Sequence, residues 1–306
     1  MVYTGGVKQA QRGIGGRIGF VETCERTRAA MRYDMKSFIE LAQIHRDGTL
    51  LICGGGPSLA DDLDTIRDLR SQGAMVLSVN KTHDFLLSHG IKPDYHVLLD
   101  PMEWVADYVK EPIPGVKYLL ASQCHRNVFK RLKAGDCYLW HAYADFYGQN
   151  YPAPLLEKEF RDKQWICIPG STTVGMRSIY LGQAMSCRIY HLLGMDSSMV
   201  YDAETKTGTL HAYAKKKPDD AKEGWAKLKT AAGIVEFYTN EHMARQVDDF
   251  DDALTQMAAM VRLKEIKAPY FTVHGTGLLP TYAATLGWHA NQNMNNLYEF
   301  KTARTA

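Results

Sequence analysis

Short apolar, β-branched runs alternate with stretches of helical spacing through most of the chain. Residues 50–53 form one such run and are followed by a helical pattern near 59–72; residues 75–79 form the next, followed by a helical pattern near 82–89. The runs at 95–99, 117–121 and 137–141 continue the series. Residues 165–168 then lead into a helix near 174–185 and a strand at 189–193. Strands that are apolar throughout and separated by helices are buried on both faces of a parallel sheet. The pattern predicts an α/β fold: a Rossmann-like three-layer parallel sheet with right-handed crossovers. The strand carboxyl ends then share one edge, where such sheets bind ligands.

The flanks read differently. After a glycine-rich start, Ala29, Met31, Phe38, Ile39, Leu41, Ala42 and Ile44 approximate a helical stripe, so residues 1–48 are expected to form a helical N-terminal extension to a core at 49–200. Residues 196–220 are polar and too long for a simple connection, which suggests a loop that covers substrate. A second helical region follows. Met243, Val247, Phe250, Leu254, Met257, Ala258 and Val261 carry the stripe within 240–263, and 270–273 reads as a last strand. Residues 201–306 thus supply a lid loop, C-terminal helices and a strand completing the same domain.

With 306 residues, net charge +2, 45% hydrophobic and 23% charged residues, the chain has the balance of a globular protein and not of a disordered or collagenous one. No apolar run approaches the ~18 residues of a membrane helix, and the N-terminus lacks a signal core, so a cytoplasmic protein without a membrane partner is expected. Near-neutral charge gives no indication of nucleic-acid binding; the lysines at 215–217 are the one dense basic cluster. Six scattered cysteines, Cys24, Cys53, Cys124, Cys137, Cys167 and Cys187, read as reduced structural thiols. An oligomer is compatible with the composition.

Candidate chemistry gathers where strands end. Gly54, Gly55, Gly56, Pro57 and Ser58 form a strand-to-helix turn whose amides suit an anion such as phosphate. Leu59 stands where a dinucleotide fingerprint has its third glycine, Asn80 where it has an acid, and no Gly-Lys-Ser/Thr occurs, so NAD and P-loop readings are demoted. The plainer alternative is a tight turn in which Ser58 to Asp61 form a capping box and Asp61 and Asp62 complement the helix dipole. Asn80 suits a base or ribose, or caps the next helix. Asp100, before Pro101, suits a metal-phosphate or ribose contact, or simply a turn. Ser171, Thr172 and Thr173 follow Gly170 at a second anion-friendly helix start, and Asp196 ends the following strand. In the long loop, His211 beside Tyr213 and Lys215 could deprotonate a hydroxyl while the cation steadies a leaving phosphate. The aromatic stretch from Trp140 and His141 through Tyr143, Phe146, Tyr147 and Tyr151 suits a stacking wall or a core cover. Asp248, Asp249, Asp251 and Asp252 read as a solvated helix start favoured by the dipole.

The ordered set Gly54-Gly55-Gly56-Pro57-Ser58-Leu59, Ser78-Val79-Asn80, Gly90 to Asp94 with Asp100-Pro101, Gly170 to Gly175, and Gly194-Met195-Asp196 resembles a known family. It is similar to the domain shared by flagellar motility accessory factors and archaeal-type 6-hydroxymethylpterin diphosphokinases (MptE-like), which bacteriophage proteins also carry, over roughly residues 50–277. More distantly it resembles bacterial Rossmann-like sialyltransferases. That likeness implies that Gly54, Gly56, Ser58 and Asn80 hold the cytidine monophosphate part of a donor, that Thr172 and Thr173 meet the sugar carboxylate or nearby groups, and that His211 is the base. Gly55 stands where those enzymes usually have a polar residue.

Three functions follow as expectations. The first is a glycosyltransferase moving a sugar from a nucleotide-activated donor to a hydroxyl-bearing acceptor, with His211 and Tyr213 catalytic. The second is a Mg²⁺-dependent diphosphokinase moving pyrophosphate from a nucleoside triphosphate, with Asp100 and Asp196 as metal ligands. The third is a nucleotide-binding protein without catalysis. The loop histidine and the lack of a phosphate-binding lysine at either glycine turn favour the first; only the second calls for a cofactor.

Overall fold

The computed structural model describes residues 18–42, 44–146, 149–170, 173–213, 223–290 and 299–302. Ser171, Thr172, Tyr147 and the lysine cluster at 215–217 lie outside the described residues. Helix α1 (Phe20–Ala30) buries Thr23, Cys24, Thr27 and Ala30 on one face and stops at Ala30. A two-residue strand β1 (Lys36–Ser37) follows, then a 3-10 turn over Phe38–Leu41 closed by a Ser37–Glu40 capping box. The helical stripe expected through Ala29 and Ile44 is therefore two pieces. Phe38 and Leu41 are buried three residues apart from a 3-10 turn, whose period imitates helical spacing.

Next come β2 (Gly48–Cys53), a 3-10 turn at Pro57–Ala60, α2 (Leu63–Ser71), β3 (Met75–Val79), α3 (Thr82–Ser88) and β4 (Tyr95–Leu98). They are followed by β5 (Lys117–Ala121), α4 (Arg126–Arg131), β6 (Asp136–Ala142), the paired strands β7 (Ala144–Phe146) and β8 (Gln149–Tyr151), and α5 (Ala153–Glu159). Then β9 (Cys167–Ile168), α6 (Val174–Ala184) and β10 (Cys187–Leu193) lead to two antiparallel pairs, β11 (Val200–Asp202) with β12 (Thr207–Thr209) and β13 (Glu223–Thr230) with β14 (Gly233–Asn240). The chain continues through α7 (Glu241–Arg262), β15 (Tyr270–Val273), α8 (Leu278–Ala290) and β16 (Glu299–Thr302).

The chain divides into two units. The first holds Asp47–Val76 and Cys187–Ala306. Its strands run in the order β3-β2-β10-β15-β16, with β3 entering by its first two residues. Strand β10 is parallel to both neighbours, so Leu192 lies opposite Ile52 on one side and Val273 on the other. From β2 the chain turns to one side, and it returns as β10 on the other. This reversal makes the switch point at which Rossmann-like sheets open a ligand crevice. Beneath it, Tyr190 stacks on Phe271 at 4.9 Å, and Phe250 of α7 meets Phe271 edge-on at 5.7 Å. Phe250, Ala253, Leu254, Met257 and Ala258 are the buried face of α7. The four aspartates at 248–252 fall in the interior of this helix, whose start is capped by Asn240 accepting from the Met243 amide, so the helix-start explanation for them is corrected.

The second unit holds Val7–Arg46 and Leu77–Ser186, with parallel strands in the order β1-β6-β5-β4-β3 and β9 beside β6. Leu119, Leu120, Val97 and Trp140 are fully buried in it, so Trp140 serves the core. His83 bridges Tyr118 and Asp84, and Ser78 bonds His96, so this core carries hydrogen-bonded polar groups. Both units are parallel α/β in the Rossmann-like manner expected. The β13–β14 pair was not expected. Residues of β13 alternate between exposed and half-exposed and form no apolar run, while β14 carries Ile234, Val235, Phe237 and Tyr238 and buries only its second half. Among the described residues no helix is long and apolar enough to cross a membrane. Phe250→Ala should cost about 3–5 kcal/mol of unfolding free energy, the range for a large core truncation. A urea titration with unchanged slope would measure it, and a loss below 1 kcal/mol would contradict the packing described.

Candidate active site at the glycine turn

At the switch point of the first unit, the loops after β2, β10 and β15 interlock. The Gly54 amide donates to the Leu193 carbonyl (2.8 Å), the Gly56 amide to the Gly194 carbonyl (2.7 Å) and the Ser58 amide to Asp196 Oδ2 (3.0 Å). The Asp196 carbonyl accepts from the Leu279 amide (3.1 Å), and Ser198 Oγ accepts from the Leu278 amide (3.1 Å). Three amides of the turn are thus held by protein acceptors. The glycines here are needed for fit: a Cβ on Gly56 would collide with Asp196 Oδ2, and one on Gly277 with the Asp196 backbone. Gly194 also turns through φ +59°, a region that glycine enters without strain. Gly56 is the N-cap of the 3-10 turn and Ser58 lies inside it, so the Ser58–Asp61 capping box does not form.

Two buried carboxyl groups sit under the turn. Asp196 is raised by burial, opposed by the hydrogen bond from the Ser58 amide. Asp62 is the N-cap of α2 but makes no side-chain cap bond; it is 7% exposed and its Oδ2 has no partner. Burial first, then the charges of Asp196 and Asp61, pushes it up to about 6. The turn thus offers local negative charge in place of the complemented dipole expected of Asp62. Mg²⁺ commonly uses one or two carboxylates and completes its shell with phosphate and water oxygens. Asp62 and Asp196 fit that pattern, although no cluster of three or more metal-binding side chains occurs among the described residues.

The long loop reaches the same place. The Gly55 carbonyl accepts from the Ala212 amide (3.2 Å) and lies 3.1 Å from His211 Nδ1. His211 and Tyr213 stack with centroids 4.9 Å apart at 14°. The Tyr213 hydroxyl lies 2.5 Å from where a Gly55 Cβ would stand. Gly54, Gly55, Gly56, Ser58, Asp196, His211 and Tyr213 are therefore brought together. A carbonyl facing Nδ1 selects the tautomer with its proton on that nitrogen, leaving Nε2 as the basic one.

The other sequence candidates belong to the second unit. Asn80 follows β3 at φ +52° with Oδ1 buried and unpartnered, and the N-cap of α3 is Lys81, so the helix-cap explanation for Asn80 fails. Asp100 follows β4, and its charge helps raise the Cys124 thiol after burial. Thr173 caps α6, its hydroxyl accepting from the Met176 amide at 3.4 Å. Two features went unnoticed in the sequence: Asp62 as an inward-facing acid, and the Gly275–Gly277 turn between β15 and α8. The second repeats the strand, glycine, helix pattern and was legible as such.

A parallel sheet whose switch point gathers a glycine turn, buried carboxyls and a loop histidine defines a Rossmann-like α/β protein. The model of the 6-hydroxymethylpterin diphosphokinase MptE-like family matches residues 28–202, more than half of the chain, and the chain belongs to that family. The match starts in the last turn of α1, takes in β1, and ends before His211 and Tyr213. The MAf glycosyltransferase of Magnetospirillum magneticum AMB-1 is similar in structure, with 17% identity and a TM-score of 0.53 over 84% of this chain and 37% of that one. This chain spans little more than a third of that protein. A mammalian sialyltransferase solved with Gal-beta-1-3GalNAc-ortho-nitrophenol aligns at 12% identity over 69% of this chain and 84% of that one, at a TM-score of 0.32 too low to argue from. At 17% identity the likeness to the MAf glycosyltransferase speaks to fold alone. No curated protein matches the chain.

The raised Asp62 has a consequence for stability. The folded protein holds this proton more tightly than the unfolded chain, so stability present at low pH is lost as pH rises from about 4 through about 6. At ~1.4 kcal/mol per pKa unit the loss is on the order of 3 kcal/mol. Asp62→Asn should flatten that slope and raise stability at pH 7.5, read as urea midpoints at pH 4.5 and 7.5. An unchanged slope would refute the assignment.

Proposed function

We propose that the protein is a transferase that moves a glycosyl group from a nucleotide-activated donor to a hydroxyl acceptor. The observation that carries this reading is the seating of His211 on the Gly55 carbonyl, which makes Nε2 a base at the switch point. Membership of the MptE-like family supports transfer chemistry of either kind, and the fold likeness to a glycosyltransferase agrees with the glycosyl reading. In this reading the acceptor oxygen attacks the anomeric carbon and gives its proton to His211 Nε2. The bond between that carbon and the donor phosphate oxygen breaks, and its electron pair leaves on the phosphate. Tyr213, stacked on His211, offers a hydroxyl to the departing oxygen. Gly54, Gly55, Gly56 and Ser58 of the first unit are the proposed donor-binding residues, through groups other than the Gly54, Gly56 and Ser58 amides, which protein acceptors hold; Asn80 and Thr173 belong to the second unit, and Ser171 and Thr172 lie outside the described residues.

A second reading rests on a separate observation. The buried Asp62–Asp196 pair is the kind of donor set that holds Mg²⁺ against phosphates, as a diphosphokinase requires. Mg²⁺ there would neutralise phosphate charge during pyrophosphoryl transfer. Its residues would be Asp196 and Asp62, whereas the sequence candidate Asp100 belongs to the second unit.

A thermal-shift screen of CMP-, UDP- and GDP-sugars against ATP, each with and without Mg²⁺, distinguishes the two, because a ligand of the folded state raises the melting temperature. Glycosyl transfer predicts a shift with a nucleotide sugar, and a His211→Ala protein that keeps the shift while losing at least 100-fold in turnover. A shift confined to ATP with Mg²⁺, with pyrophosphate moved to a hydroxymethyl acceptor, would establish the second reading. Binding without turnover of any donor would leave a nucleotide-binding protein.

A further inference from the structure

We infer that Gly55 is a positioning residue that sets which nitrogen of His211 is basic and reserves the space taken by Tyr213; this extends the glycosyl-transfer reading above. Gly55 has no left-handed φ, so its backbone accepts an alanine. What excludes a side chain is Tyr213: the hydroxyl would lie 2.5 Å from the new Cβ, and Cε1 and Cζ would each lie 3.1 Å from it. The same residue's carbonyl takes the Ala212 amide and faces His211 Nδ1, so one peptide group fixes both the backbone of the loop and the orientation of the imidazole. The His211 and Tyr213 rings are stacked, so a displaced Tyr213 ring presses on the imidazole. A side chain at position 55 displaces Tyr213, and the imidazole loses the acceptor that holds its proton on Nδ1.

The tautomer can be read without any substrate. In protein labelled with ¹⁵N-histidine, His211 above its titration point should show a protonated Nδ1 and an unprotonated Nε2. Gly55→Ala should shift it to a mixture of tautomers and lower kcat at least tenfold, with KM changed less than threefold. Gly55→Ala/Tyr213→Phe removes the nearest clashing atom and should restore the wild-type tautomer, whereas Tyr213→Phe alone should keep it. A wild-type His211 protonated on Nε2, or a Gly55→Ala protein with wild-type tautomer and pH profile, would overturn the inference. Because the spectrum needs no turnover, a protein that transfers no sugar but shows the Nδ1 proton would count against the proposed function and leave the tautomer assignment standing.

Discussion

The hydrogen bond from the Ser58 amide to Asp196 Oδ2 joins groups 138 residues apart, and the arrangement of the switch point depends on it. Its carboxylate draws the turn after β2 onto the loop after β10, while the backbone carbonyl of the same residue receives the start of α8. Gly56, Gly275 and Gly277 lack side chains where Asp196 packs, so the aspartate and the glycines make one interlocked unit. Buried at 4% exposure, the carboxylate accepts from the Ser58 amide and would be costlier without it.

The strands were legible because parallel strands buried on both faces are short apolar runs whatever surrounds them. Met75–Val79, Lys117–Ala121 and Tyr270–Val273 have in the structure the bounds their apolar runs predict. Local periodicity failed where two structures share a spacing, as at Phe38 and Leu41, and where a hairpin lies half in solvent, as at Glu223–Thr230. The site was legible by residue type but not by partner. The glycine turn, Asp196, His211 and Tyr213 could each be named, yet which groups satisfy the turn's amides depends on neighbours far away in sequence.

That dependence changes what the glycine turn offers. A run of glycines before a helix suggests amides pointing at an anion. Here the amides of Gly54, Gly56 and Ser58 point to protein acceptors, and Asp62 adds a second buried carboxyl beneath them. The group of the turn that meets the long loop is the Gly55 carbonyl, an acceptor. An acceptor there recruits N–H groups, and it has recruited two, the Ala212 amide and the His211 ring. In this arrangement the turn holds the proposed base, and the charge of a phosphorylated donor must be balanced by other means: protonation of Asp62, a bound cation, or donors from the loop that carries Tyr213.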